Sequence, residues 1–308
     1  MHDGQDSGKH TGAESETRRR MKIGVVYPQT EMRGDPAAVA RFGRAAEDLG
    51  FDHLVAYDHV LGAVHDGRAM PLNGPYTERD AFHDPFVMFS YLAGITDKLE
   101  FFTGVLVLPQ RQTALVARQA ADVALLSAGR LRLGVGVGWN RVEYQGLGSE
   151  FRGRGPREEE QINVLRRLWT GEVVDFTGES HRLDRVALNP APDSQIPIWL
   201  GGLGDRAFDR AARMGDGFVF AASFDYAVAG WRDLQERRKT LGRATTPFGA
   251  ECIVSGRAGL DEVAGRVEAW REAGGTHASI LTMRLGLDSV DAHIDWMEKA
   301  AAALGLSG

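Results

Sequence analysis

Short β-branched runs alternate with amphipathic segments along most of this chain, and that alternation restricts its possible folds more than any other feature. Residues 22–27, 53–57, 101–108, 131–137, 197–200, 217–221, 250–254 and 277–282 read as strands. Helical patterns lie between them. Asp35-Pro36 and Asp84-Pro85 each supply an N-cap followed by proline at the first helical position, and Leu49-Gly50 supplies a left-handed C-cap. Further helical patterns cover 113–127, 158–169, 206–214, 226–241, 260–273 and 289–304; the second of these places Ile162, Leu165 and Leu168/Trp169 on one face. Residues 172–188 alternate weakly and read as an inserted hairpin.

Eight strand–helix units with crossovers of one hand predict a closed α/β fold, a (β/α)8 TIM barrel. It carries an insertion after strand 4 and a long loop, residues 61–83, after strand 2. A doubly wound open sheet with an appended domain is the alternative. The barrel is expected to occupy residues 21–308 as one domain. Residues 1–20 are polar, end in Arg18-Arg19-Arg20 and lack the apolar stretch of a secretory signal, so they read as a disordered leader.

The net charge of −6, with Lys and Arg scattered, gives no nucleic-acid footprint. The single Cys252 excludes an internal disulfide framework and suits a reducing cytosol, so a cytoplasmic location is expected. No apolar run approaches the roughly 18 residues that span a bilayer, so no membrane is expected.

At residues 130–140 the strand loses its side chains at alternate positions, Gly134, Gly136 and Gly138, before Trp139 and Asn140. Backbone bared in this way serves either a planar ligand or a tight barrel corner, and both readings stay open. No third glycine at the required spacing makes it a dinucleotide fingerprint.

Barrel function gathers at the carboxyl ends of the strands. That rule selects Pro28-Gln29, Asp58-His59, Leu108-Pro109, residues 136–140, Gly201-Gly202, Ala221 to Ser223, Ser255 and Thr282 to Arg284, and it makes residues 61–83 a candidate lid. Asp58-His59 reads as an acid–base pair or as a turn cap beside a packed ring. His53, His65, His83 and Asp84 show no metal-ligand spacing, so no metal is expected. Gly201-Gly202-Leu203-Gly204 runs into a helix start and offers a phosphate seat or a plain turn; Asp205, as a cap there, would set a negative charge beside a phosphate. Gly-x-Ser-x-Gly, P-loop and Ser-x-x-Lys motifs are absent, and Cys252 reads as core. The pattern suggests that a cofactor carries the reaction.

Tyr57-Asp58-His59-Val60, residues 103–111 and residues 127–139 together resemble the bacterial luciferase-like monooxygenase superfamily. Residues 158–171, 197–202 and 215–218 add to the likeness, which runs from about Met21 to about Leu304. Leu108-Pro109-Gln110-Arg111 and Gly134 to Trp139 are similar to its branch of probable F420-dependent oxidoreductases. The resemblance implies a hydride transfer between the deazaflavin coenzyme F420 and a small organic substrate, in a homodimer. FMN-dependent monooxygenation and a non-catalytic flavin-binding subunit are the alternatives. It places Asp58 and His59 by the ring as catalytic residues and implies a non-proline cis peptide at Val105-Leu106. It also implies cofactor contacts from Asp58, Val105, Leu106, Leu108, Val137, Gly138, Trp139 and Asn140, with Gly201, Gly202, Gly204 and Ala221 around the phosphate. Sugar-phosphate dehydrogenases of the superfamily place a proton-donating Glu where Trp139 stands here, so their acid–base scheme does not transfer, although His59 and Glu143 remain.

Overall fold

The computed structural model describes residues 20–307, so the expected leader lies outside the described residues except for Arg20. The chain begins β1 (Lys22–Val26), α1 (Gln29–Met32), α2 (Pro36–Asp48), β2 (His53–Val55), α3 (Pro85–Ala93), β3 (Glu100–Phe102), β4 (Leu106–Val107), α4 (Thr113–Leu126) and β5 (Leu131–Gly136). It continues with α5 (Arg141–Gly146), α6 (Arg154–Leu168), β6 (Val174–Thr177), β7 (Arg182–Val186), β8 (Ile198–Gly201) and α7 (Asp205–Met214). The last elements are β9 (Gly217–Phe220), α8 (Phe224–Thr240), β10 (Gly249–Ser255), α9 (Leu260–Glu272), β11 (His277–Leu281) and α10 (Val290–Leu304).

The large sheet runs β3-β2-β1-β11-β10-β9-β8-β5-β4, and a second pairing of β3 with β5 closes it. All its neighbours are parallel, so this is the (β/α)8 barrel. Asp35 and Asp84 cap α2 and α3 through their side chains, with Pro36 and Pro85 next in line. The inserted β6–β7 hairpin is antiparallel. Its His181 stands between Glu160 (2.6 Å) and Thr113 (2.6 Å), which pins the hairpin to α6 and α4. No helix among the described residues is long and apolar enough to cross a membrane.

Two differences from the sequence reading bear on the site. The third strand is broken into β3 and β4 at Gly104, whose φ of +54° bulges the chain. The expected non-proline cis peptide at Val105-Leu106 is not found; among the described residues the cis bond is Asn189-Pro190, and the Gly104 bulge stands where the cis peptide was expected. Helix α6 begins four residues earlier than its periodicity suggested, because Pro156 sits in the first turn, where its missing N–H costs nothing.

Strand alternation divides the core in two. One set packs outward beneath the helices, including Val25, Leu54, Phe101, Leu106, Leu108 and Leu133. The inner set, including Val26, Val55, Phe102, Trp199, Val219 and Ile253, fills the lumen. Lower in the lumen Arg132 lies between the Phe102 and Trp199 rings and donates to Glu251 Oε2 at 2.7 Å. His53 Nε2 is 2.9 Å from Glu251 and 2.8 Å from Ser279. Burial alone would raise the Glu251 pKa, but the Arg132 and His53 neighbours hold it far below the usual carboxylate range.

Candidate active site

The alternating glycines answer first to packing. A Cβ on Gly134 would fall 1.9 Å from the Gly104 carbonyl oxygen, and one on Gly136 would fall 2.5 Å from Val105 Cγ1. Gly201 is filled in the same way, 2.4 Å from Val105 Cγ2. The bulge after β3 therefore drops Val105 into room that two glycines leave, and at these positions the tight barrel corner is the correct reading. Val105 faces the lumen, whereas the side chains of Leu106 and Leu108 lie in the outer core, away from it.

Beyond β5 the chain turns up to the mouth. Val137 and Gly138 are half-buried, and the Val137 carbonyl accepts the Tyr144 hydroxyl at 2.8 Å. Asn140 does not present its amide to a ligand: its Oδ1 accepts the Val142 and Glu143 N–H groups and caps α5, a helix the sequence reading did not foresee. That cap places Glu143 under the end of β2. Glu143 Oε2 lies 2.9 Å from His59 Nδ1, and its Oε1 accepts the Val60 and Leu61 N–H groups. Burial would raise the Glu143 pKa, but those hydrogen bonds keep it below the ordinary carboxylate value. His59 is thus oriented by a carboxylate. Its ring meets Tyr76 (5.4 Å), Phe82 (5.0 Å) and Trp139 (5.6 Å) edge to face. Burial pushes the Tyr76 hydroxyl up to about 12, so it stays protonated at neutral pH.

Asp58 turns away from the mouth. Its fully buried carboxylate accepts the Val107 N–H at 2.9 Å and two nitrogens of Arg111. Arg111 also donates to Asp84, so it holds the chain both before and after residues 61–83. That segment forms no helix or strand and folds over the mouth, with Gly74 so close to Trp139 that a Cβ would fall 2.2 Å from the indole. Arg141 donates to the Met70 and Pro71 carbonyls, and Arg284 to that of Pro75. Gln29 and Thr282, two other strand-end residues, serve the frame: Gln29 accepts the Tyr57 N–H and Thr282 bonds His293.

Across the mouth, Gly202 and Gly204 are exposed with φ of +143° and +77°, and α7 starts at Gly204 without a side-chain cap. The expected capping by Asp205 does not occur. Arg237 Nη2 pairs with Asp205 at 2.6 Å and neutralises the charge that would have repelled an anion. The Gly204 N–H donates to the Tyr226 hydroxyl at 2.8 Å, and Ala221 is exposed just after β9. Among the described residues no group of three or more His, Cys, Asp or Glu side chains is placed to hold a metal ion.

A family model of luciferase-like monooxygenases matches residues 20–302. The chain belongs to the luciferase-like monooxygenase family. It is 35% identical over 213 residues to an uncharacterised protein of Mycobacterium tuberculosis, covering 67% of this chain and 72% of that one. It is 31% identical over 195 residues to an F420-dependent glucose-6-phosphate dehydrogenase of Nakamurella multipartita, covering 63% of this chain and 54% of that one. An F420-dependent secondary alcohol dehydrogenase, solved with an F420-acetone adduct, shares the fold with a TM-score of 0.74 at 18% identity, over 92% of this chain and 99% of that one.

In this luciferase-like monooxygenase family member, sequence reading brought His59, Val105, Gly138 and Trp139 to the barrel mouth, and Gly202, Gly204 and Ala221 to its opposite rim. It missed the Arg111 bridge, the Tyr76 and Phe82 rings, and the Arg237 and Tyr226 support of the glycine turn. Arg111 stood in the family segment, so its charge was a signal. The others depend on contacts between elements distant in sequence.

Proposed function

We propose that this chain is an F420-dependent oxidoreductase that exchanges a hydride between the deazaflavin and a small organic substrate at the barrel mouth. The observation that carries the reading is the pairing, on one mouth, of an uncapped, exposed helix start with an imidazole oriented by a buried carboxylate. The F420-dependent glucose-6-phosphate and secondary alcohol dehydrogenases among its relatives and fold neighbours support that choice of cofactor.

The residues present fit such a group. A Cβ at Gly204 would meet nothing within 4 Å, so the turn is open to a phosphate, and the helix start favours negative charge. Gly202, Gly204 and Ala221 would hold the phosphate, and Val105, Val137, Gly138 and Trp139 would flank the ring. When bound, the deazaflavin supplies a carbon that takes or gives the hydride. His59 holds or moves the proton of the substrate at Nε2, the ring nitrogen Glu143 does not engage. Residues 61–83 exclude water from the mouth.

The glycine turn gives a direct test. Gly202→Glu puts a side chain and a negative charge into the seat and is expected to weaken F420 binding by more than about tenfold. Gly202→Ala controls for backbone strain. Equal F420 affinity in folded Gly202→Glu would place the phosphate elsewhere.

A further inference from the structure

Three hydrogen-bond donors converge on one buried carboxylate. His59 Nδ1 reaches Glu143 Oε2, and the Val60 and Leu61 N–H groups reach Oε1. The Glu143 side chain is 1% exposed and that of His59 10%. Val60 and Leu61 are where the chain leaves the end of β2 for the segment that covers the mouth. Glu143 itself is fixed by the Asn140 cap on its own N–H. A carboxylate has acceptors on both sides and answers all three donors. A carboxamide cannot, because either orientation turns its NH2 against a donor.

We propose that Glu143 is a positioning residue that ties the tautomer of His59 to the seating of the lid stem at Val60 and Leu61. With Oε2 as acceptor, the imidazole hydrogen sits on Nδ1 and Nε2 is left as the free acceptor in the ring cluster. A lid that swings at its stem removes two of the three donors and admits water to the carboxylate, which frees the imidazole to turn. The seated lid and the Nε2-acceptor form of His59 are then one state. The inference rests on His59 as the proton-handling group and adds the regulation of that site.

The test uses the full chain without cofactor, so it stands or falls separately from the F420 reading. Two-dimensional proton–nitrogen correlation on histidine-labelled protein reads the His59 tautomer, and amide exchange reads Val60 and Leu61. Wild type is expected to carry the hydrogen on Nδ1. In Glu143→Gln the amide oxygen stays with the two fixed backbone donors and the NH2 faces His59, so the hydrogen moves to Nε2 while both amides stay protected. In Glu143→Ala the protection of both amides falls by at least about tenfold. Arg284→Ala touches neither His59 nor Glu143 but removes a lid anchor at Pro75; it is expected to speed exchange at both amides and to mix the His59 tautomers. An unchanged tautomer in Glu143→Gln would overturn the proposal. So would unchanged exchange in Glu143→Ala, or a loosened lid in Arg284→Ala with His59 still wholly on Nδ1.

Discussion

Arg111 grips Asp58 through two nitrogens, Nη2 to Oδ1 at 2.6 Å and Nε to Oδ2 at 3.3 Å, on a carboxylate that has no exposure to solvent. The remaining nitrogen donates to Asp84 at 2.9 Å. Burial pulls the Arg111 pKa down, but the two carboxylates outweigh it and raise it overall, so the cation persists at any working pH. One planar fork therefore holds the chain on both sides of the lid.

Removing one partner of a buried pair leaves the other charged and dry, at a cost of about 3–5 kcal/mol. Arg111→Ala is expected to lower stability by about that much, as read by denaturant unfolding. Arg111→Lys should recover only part of it, because an ammonium cannot reproduce the fork. Equal stability of wild type and Arg111→Ala would show that Asp58 finds other donors.

The fit of Val105 against Gly201 predicts a rescue. Gly201→Ala sets a methyl 2.4 Å from Val105 Cγ2 and 3.0 Å from Val219 Cγ1, and overpacking of this kind costs about 1–3 kcal/mol. Val105→Ala opens a small cavity by itself. Combined, the two changes should cost less than their sum, with a coupling of about 1 kcal/mol in a double-mutant cycle. Strict additivity would mean that Val105 does not occupy that space.

The order of strands and helices was legible because period-2 and period-3.6 apolar patterns, Asp-Pro starts and glycine stops act within a few residues. The break at Gly104 was not, because the third strand reads as continuous apolar sequence and only the opposing Gly134 and Gly136 give the bulge room. Asn140 shows the same limit at the site: an amide after a glycine strand can line a pocket or cap a helix, and the short α5 that decides between them has a weak signature. His59 was found from its place at a strand end. Asp58 was found too, but its partner lies 53 residues on, so its turn away from the mouth could not be read.

Glu158 supplies a pH test. Its carboxylate is buried, and although Arg210 Nη1 lies 3.0 Å away, neither oxygen has an aligned hydrogen-bond partner. Burial outweighs the cation and raises its pKa to about 7. The folded protein then holds a proton that the unfolded chain releases near pH 4.5, so this stabilisation is complete below that pH and is lost as pH rises through 7. His277, pushed down to about 2 chiefly by burial, acts in the opposite direction, and a difference between variants cancels it. The melting temperature of Glu158→Gln relative to wild type should therefore rise between about pH 5 and pH 8. A pH-independent difference would show that Arg210 keeps Glu158 ionised.

His59→Ala should lower turnover by about 10²–10⁴-fold, the span of a positioned acid or base. Cofactor affinity should change far less, since the glycine turn is untouched. A lower melting temperature with normal turnover per folded molecule would make His59 a packing residue.

The most direct test of the account is a parallel titration of the purified chain with F420 and with FMN, followed by fluorescence. The account predicts micromolar or tighter binding of F420 and markedly weaker binding of FMN. Protein that arrives yellow with one FMN per chain and shows no affinity for F420 would contradict it.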